Sequence, residues 1–190
     1  MRRASAVAAT ALVVGLALGG CTLSETSDGG EPAPVPQGFQ RFEGNGVSFA
    51  YPAGWRVGEG PGQAAATVVR ISPPGSPPDA AGAGPLVGFG RFEVSTAAEP
   101  EESFDAHRNE ETAVYARRLL GQDDVEVPGA AASRRYEFEY ESTKGRTPMR
   151  KLDLVVVGAD RRTLYNLIAQ APAGEADQLE PAIESFRLED

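Results

Sequence analysis

Nine consecutive residues, Ser133 to Glu141, alternate between two chemistries. Tyr136, Phe138 and Tyr140 fall on one side; Arg135, Glu137, Glu139 and Glu141 fall on the other. A strand projects successive side chains to opposite faces. This stretch therefore reads as a strand with one face against apolar material and the other in water. That is the antiparallel pattern, since strands buried in parallel sheets read as unbroken apolar runs. Turn residues carry the chain onward: Lys144-Gly145 leads into Met149–Val157, and Gly158-Ala159-Asp160 leads into Thr163–Gln170. The three strands form a meander.

Upstream, Phe39–Glu43 and Val47–Ala50 are short strands joined by Gly44-Asn45-Gly46, a hairpin signal. Tyr51-Pro52-Ala53-Gly54-Trp55 turns the chain again, and Ala65–Ile71 and Leu86–Val94 are further strands. Between these two lies Pro73–Pro85, long for a connection and either mobile or part of a binding rim. Pro100–Leu120 reads as the clearest helix, with acids at Glu99, Glu101 and Glu102 and basic Arg117 and Arg118 at its end, suiting the helix dipole. Phe104, Ala106, Ala113, Tyr115, Ala116, Leu119 and Leu120 fall on one arc. His107, Glu110, Glu111, Arg117 and Arg118 fall on the opposite, polar arc, and Gly121 stops the helix. A last helix covers Ala173–Ser185; Pro181 makes it start near Glu180 or kink there. Strands, helix, meander, helix is the order of an α+β domain with a central antiparallel sheet flanked by helices, an α/β/α sandwich.

The N-terminus carries an address. Arg2 and Arg3 precede an apolar run, Ala4–Leu18, which ends in Leu18-Gly19-Gly20-Cys21. A charged start, a short apolar stretch and small residues before a cleavage point define a secretory signal. The segment resembles a bacterial lipoprotein signal. That resemblance implies cleavage between Gly20 and Cys21 and acylation, with diacylglyceryl and further palmitate-like chains, of the Cys21 thiol. Two or more chains anchor stably where one holds marginally. Residues 1–20 are then the signal and 21–38 the lipidated cysteine and a Pro/Gly/Ser tether. Residues 39–190 are one globular domain.

Charge narrows the partners. There are 18 Lys and Arg against 27 Asp and Glu, a net charge of −9, and loss of Arg2 and Arg3 takes it to −11. Such a chain does not hold nucleic acid by neutralising phosphates or settle on an anionic leaflet through a basic patch. Cys21 is the one cysteine, so no disulfide forms within the chain. Arg outnumbers Lys 16 to 2, and Ala, Gly and Pro are abundant, as in GC-rich actinobacterial genomes.

No motif for chemistry stands out. His107, the single histidine, sits four residues before Glu111, but zinc takes three or four protein ligands; a solvated His–Glu pair is the simpler expectation. Ser103 and Ser133 lack a nucleophile elbow. The acids at Glu99, Glu101, Glu102, Asp105, Asp123 and Asp124 lack a calcium-loop pattern. Glu137, Glu139 and Glu141 are the wet face of a strand. Arg134 and Arg135 point to opposite faces, while Arg161-Arg162 at a hairpin end could touch an anion. Trp55, Tyr136, Phe138 and Tyr140 are candidates to face an apolar ligand, against a plain sheet-to-helix core. No enzyme activity, metal or cofactor is expected.

Gly46-Val47-Ser48-Phe49-Ala50-Tyr51-Pro52-Ala53-Gly54-Trp55 and Ser185-Phe186-Arg187-Leu188 resemble segments of PsbP-like domains. They are most similar to those of LpqN-type and DcrB-like bacterial lipoproteins. The resemblance spans Phe39 to Leu188 and implies a central antiparallel sheet flanked by helices and non-enzymatic roles in assembly or binding. The expected function is a lipid-anchored module on the extracytoplasmic face of the cell membrane that binds or assembles envelope proteins. The alternative is a carrier or sensor of a small apolar ligand, which needs a cavity of about 300 Å³ or more between sheet and helix. A hydrolase is the weakest reading.

Overall fold

The structure, a computed structural model, describes residues 34–59, 66–76, 84–142 and 145–189. The expected signal, Cys21 and most of the expected tether lie outside the described residues, as does the middle of Pro73–Pro85.

β1 (Phe39–Gly44) and β2 (Val47–Pro52) form the expected hairpin. Its two-residue turn places Asn45 at φ 57° and Gly46 at φ 76°. Both lie in the left-handed region, which a type I′ turn requires and which Asn and Gly tolerate. β3 (Arg56–Glu59), β4 (Ala66–Ser72) and β5 (Leu86–Glu93) follow. After the helical segment come β6 (Arg118–Asp124), β7 (Ala130–Glu141), β8 (Pro148–Gly158) and β9 (Thr163–Pro172). β10 (Arg187–Leu188) closes the described chain.

Seven strands make the main sheet in the order β3-β4-β5-β9-β8-β7-β6, each pair antiparallel. A second sheet, β1-β2-β10, is pinned by Arg187 and Leu188 pairing with Ser48 and Val47. The fold is α+β with antiparallel sheets, as the alternating strand required.

β8 decides the layering. Leu152, Leu154 and Val156 point to one face, where they join Phe49, Val87, Phe89, Leu167, Ile183 and Phe186 in the larger core. The second sheet and the short helix α2 (Glu180–Glu184), led in by a 3-10 turn at Ala176–Leu179, cover that face. Val155 and Val157 point to the other face and pack with Phe104, Tyr136 and Phe138. There the cover is α1 (Pro100–Asn109). Phe104 is its buried anchor, contributing about 1.5–3 kcal/mol by leaving water. The last helix starts at Glu180 with Pro181 in its first turn, where the missing N–H costs nothing.

Arg134 and Arg135 diverge as strand neighbours must. Arg134 reaches Asp124 at 2.6 Å and Glu101 of α1 at 3.2 Å, while Arg135 reaches Glu180 of α2 at 2.7 Å on the far side.

The expected helix to Leu120 is shorter. α1 ends at Asn109, one π-helical turn spans Glu110–Val114, and Ala116 at φ 51° breaks the helix. Arg118–Asp124 is a strand, in which Leu119 pairs with Phe138 and Leu120 is the extra residue of a bulge. Gly121 therefore sits inside a strand and stops no helix. Helical propensity lost here to the free edge of β7, whose backbone needed a partner.

Candidate functional site

The helical arcs drawn from sequence invert at this break. Tyr115 and Leu120, on the expected apolar arc, are exposed, while Glu111, on the expected polar arc, is buried. His107 keeps 12% of its side chain exposed. The π-helical turn, whose bonds run i to i+5, rotates the chain after Asn109 and carries Glu111 inward.

What receives Glu111 is a pair of charges on β8. Lys151 and Asp153 interrupt the apolar run and face α1. Lys151 Nζ donates to Glu111 Oε1 at 2.9 Å and to Asp153 Oδ2 at 2.6 Å. His107 Nε2 lies 2.9 Å from the same Asp153 Oδ2. Arg117 closes the cluster by donating to Glu111 Oε2 and lies over the rings of Tyr115 and Tyr140. Burial alone would push the Asp153 carboxyl up, but Lys151 and His107 together hold it below the usual carboxylate range. Its other oxygen, Oδ1, is buried with no hydrogen-bond partner among the described residues.

The expected solvated His–Glu pair is thus a buried network. Single-sequence periodicity missed Lys151 and Asp153, although one signal was there. Lys151-Leu152-Asp153-Leu154 alternates in period two, and its charged phase continues into Val155 and Val157, which face the core beneath α1.

His107, Glu111 and Asp153 present ligand atoms within 4.8 Å of one another, a spacing that suits a metal ion. Lys151 supplies positive charge to both carboxylates, the compensation a cation would give. His107 with Asp153 is also the base half of a nucleophilic constellation. The nearest serine on the helix, Ser103, instead gives its hydroxyl to the carbonyl of Glu99 at 3.2 Å. Ser133 gives its own to the carbonyl of Val125 at 2.6 Å.

Beside the cluster lies an open groove of about 440 Å³ between α1 and the sheet. Phe92, Val94, Ala98, Ala106, Val155 and Leu164 supply its apolar lining, and Glu99, Glu102 and Glu110 line it from the helical side. His107 and Asn166 also face it.

The four candidate ligand-facing aromatics do not share this groove. Tyr136 and Phe138 stack with ring centroids 5.8 Å apart beneath α1. The Tyr136 hydroxyl donates to the carbonyl of Phe104 at 2.9 Å, and burial raises its pKa. Tyr140 is half-buried and donates to Gln170 at 3.1 Å; burial raises its pKa as well. Tyr136 and Phe138 are core because α1 covers them, while Tyr140 lies under the Arg117 guanidinium. Trp55 packs on the opposite face, where it lines a separate cavity of about 330 Å³ with Phe39, Pro52, Pro73 and Leu179. Of the remaining candidates, Glu137 pairs with Arg150 at 2.6 Å and Glu139 with Arg118 at 3.0 Å. Arg161 lies 3.7 Å from Glu99.

No protein-family model matches the chain, and no curated protein matches it in sequence. Solved structures do resemble it in fold. Cyanobacterial PsbP (CyanoP) from Synechocystis sp. PCC 6803 aligns with a TM-score of 0.55 at 16% identity, over 87% of this chain and 98% of that one. LpqN, involved in cell envelope biogenesis of Mycobacterium tuberculosis, aligns at 0.52 and 15% identity, over 80% and 92%. The Ran-binding protein Mog1p of Saccharomyces cerevisiae aligns at 0.51 and 12% identity, over 80% and 96%. The fold is PsbP-like.

Proposed function

We propose that the chain is a lipid-anchored module on the extracytoplasmic face of the cell membrane that binds envelope proteins and catalyses no reaction. The lipoprotein-type segment ending in Cys21 supports the anchor, and the acidic tether supports a domain held off the lipid surface. The observation that carries the binding role is the outer edge of the main sheet. Among the described residues β6 pairs with β7 on one side only, so its other edge is open to accept a strand. Val114, Tyr115 and Leu120 stand beside that edge with 71%, 53% and 41% of their surface exposed. Large apolar side chains grouped at an open edge suit a protein partner. LpqN, which shares the fold, is described as acting in cell envelope biogenesis.

The test is photo-crosslinking in living cells from a benzophenone side chain at Leu120, with Val57 on the opposite edge strand as the control position. Discrete envelope proteins captured at Leu120 and absent at Val57 are expected, and Cys21→Ser removes both the capture and the membrane retention. Identical, diffuse products from the two positions would refute the reading.

A second reading, carriage of a small ligand, is favoured by the groove beside α1, whose 440 Å³ is ample for a small molecule.

A further inference from the structure

The groove has a chemical bias that apolar carriage does not require. Among its described lining residues there is no Lys or Arg, while three carboxylates, Glu99, Glu102 and Glu110, belong to it. Glu99 is loosely matched by Arg161 at 3.7 Å, and Glu110 accepts from the Tyr115 hydroxyl at 3.3 Å. Glu102 lies one helical turn from Glu99 and makes no ion pair among the described residues. On the sheet side Asn166 adds a polar group to the lining. Asn166, in register with Gly90 and Val155, keeps its Oδ1 buried with no hydrogen-bond partner among the described residues.

The apolar wall is shaped to the same end. A Cβ at Gly90 would come within 2.9 Å of the Phe92 ring, so the bare glycine is what lets that ring lie back along β5. Phe92 remains 40% exposed and lines the groove. An aromatic face near carboxylates is a favourable seat for an ammonium group.

We propose that this groove binds a small organic cation, an ammonium group carried on an apolar body. The body lies on Phe92, Val94 and Leu164, and the ammonium faces the carboxylates of α1. The proposal rests on the ligand-carriage reading and specifies its ligand class.

The test is calorimetric titration of the purified full chain with three probes of one shape: 2-(naphthyl)ethylammonium, 2-(naphthyl)ethanol and naphthylacetate. The ammonium is expected to bind about tenfold more tightly than the alcohol, from two screened carboxylates and one aromatic face. The acetate is expected to bind least, and the ammonium's advantage shrinks with added salt. Glu102→Gln/Glu110→Gln, both at exposed positions, weakens the ammonium about fivefold and leaves the alcohol unchanged. Equal affinity for ammonium and alcohol, or no effect of the double variant, overturns the cation assignment while carriage of apolar ligands stands. Binding of none of the three overturns both.

Discussion

Lys151→Met probes the buried cluster most directly. The Lys151 side chain is 3% exposed, Glu111 7% and Asp153 0%. The cluster sets two carboxylates against Lys151 and Arg117, with His107 as the fifth member. Methionine fills a similar volume but leaves Glu111 and Asp153 facing one guanidinium. Removing one partner of a buried pair costs about 3–5 kcal/mol, because the remaining charge is uncompensated. For a domain of this size each kcal/mol shifts Tm by about 2–4 °C, so the melt should fall by roughly 6–20 °C. The double variant Lys151→Met/Asp153→Asn removes one charge of each sign and keeps Glu111 with Arg117. It should recover at least about 1.5 kcal/mol relative to the sum of the single variants. Thermal melts followed by circular dichroism at pH 7 and 0.15 M salt give all four corners of the cycle. A Lys151→Met melt within 2 °C of the parent, or strict additivity, would show that the cluster is solvated and not the buried network described above.

Two further outcomes follow from the same geometry. Lys151→Ala empties the position between three groups whose ligand atoms lie within 4.8 Å. Micromolar zinc should therefore raise the melt of that variant and not of the parent; ligand at a hundred times Kd contributes about 2.7 kcal/mol, and an unchanged melt rejects the expectation. Asp160 accepts from the N–H groups of Arg162 and Thr163 and from the Thr163 hydroxyl, which hold its carboxyl below the usual range. A depressed folded-state pKa gives stability that is full above the unfolded value near 4 and is lost as pH falls through the folded value. Asp160→Ala should lower the melt at pH 6, with the gap closing in stronger acid; a gap independent of pH contradicts the hydrogen-bonding account.

The strands were legible because their signal is local. Tyr136, Phe138 and Tyr140 in period two, the Asn45-Gly46 turn and the Gly158–Asp160 turn each act within a few residues, and all three reappear as β7, β1–β2 and β8–β9. The segment after Asn109 was not legible. Its residues suit a helix to Leu120 by propensity, and only pairing with the open edge of β7, a tertiary contact that helical periodicity does not report, makes Arg118–Asp124 a strand. The inward turn of Glu111 was hidden for the same reason. A carboxylate on a polar arc reads as solvated until Lys151, forty residues on, is known to face it. Trp55 shows the converse failure: aromatic residues grouped by type were divided between the two faces of the sheet.

The two faces of the main sheet do different work. The face under β2 and α2 is apolar nearly throughout, and its cover is tied down by strand pairing at β10 and by Ser185, whose hydroxyl accepts from the Ala50 N–H at 2.7 Å. The face under α1 holds a small aromatic core, a buried charge network and an open groove within one layer. A network of charges contributes little net stability compared with an apolar replacement. Its value lies in position: Asp153 and Lys151 fix His107 and Glu111, and with them the C-terminal half of α1, along the wall of the groove. That placement ties the position of α1, and so the wall of the groove, to a buried charge network as well as to apolar packing.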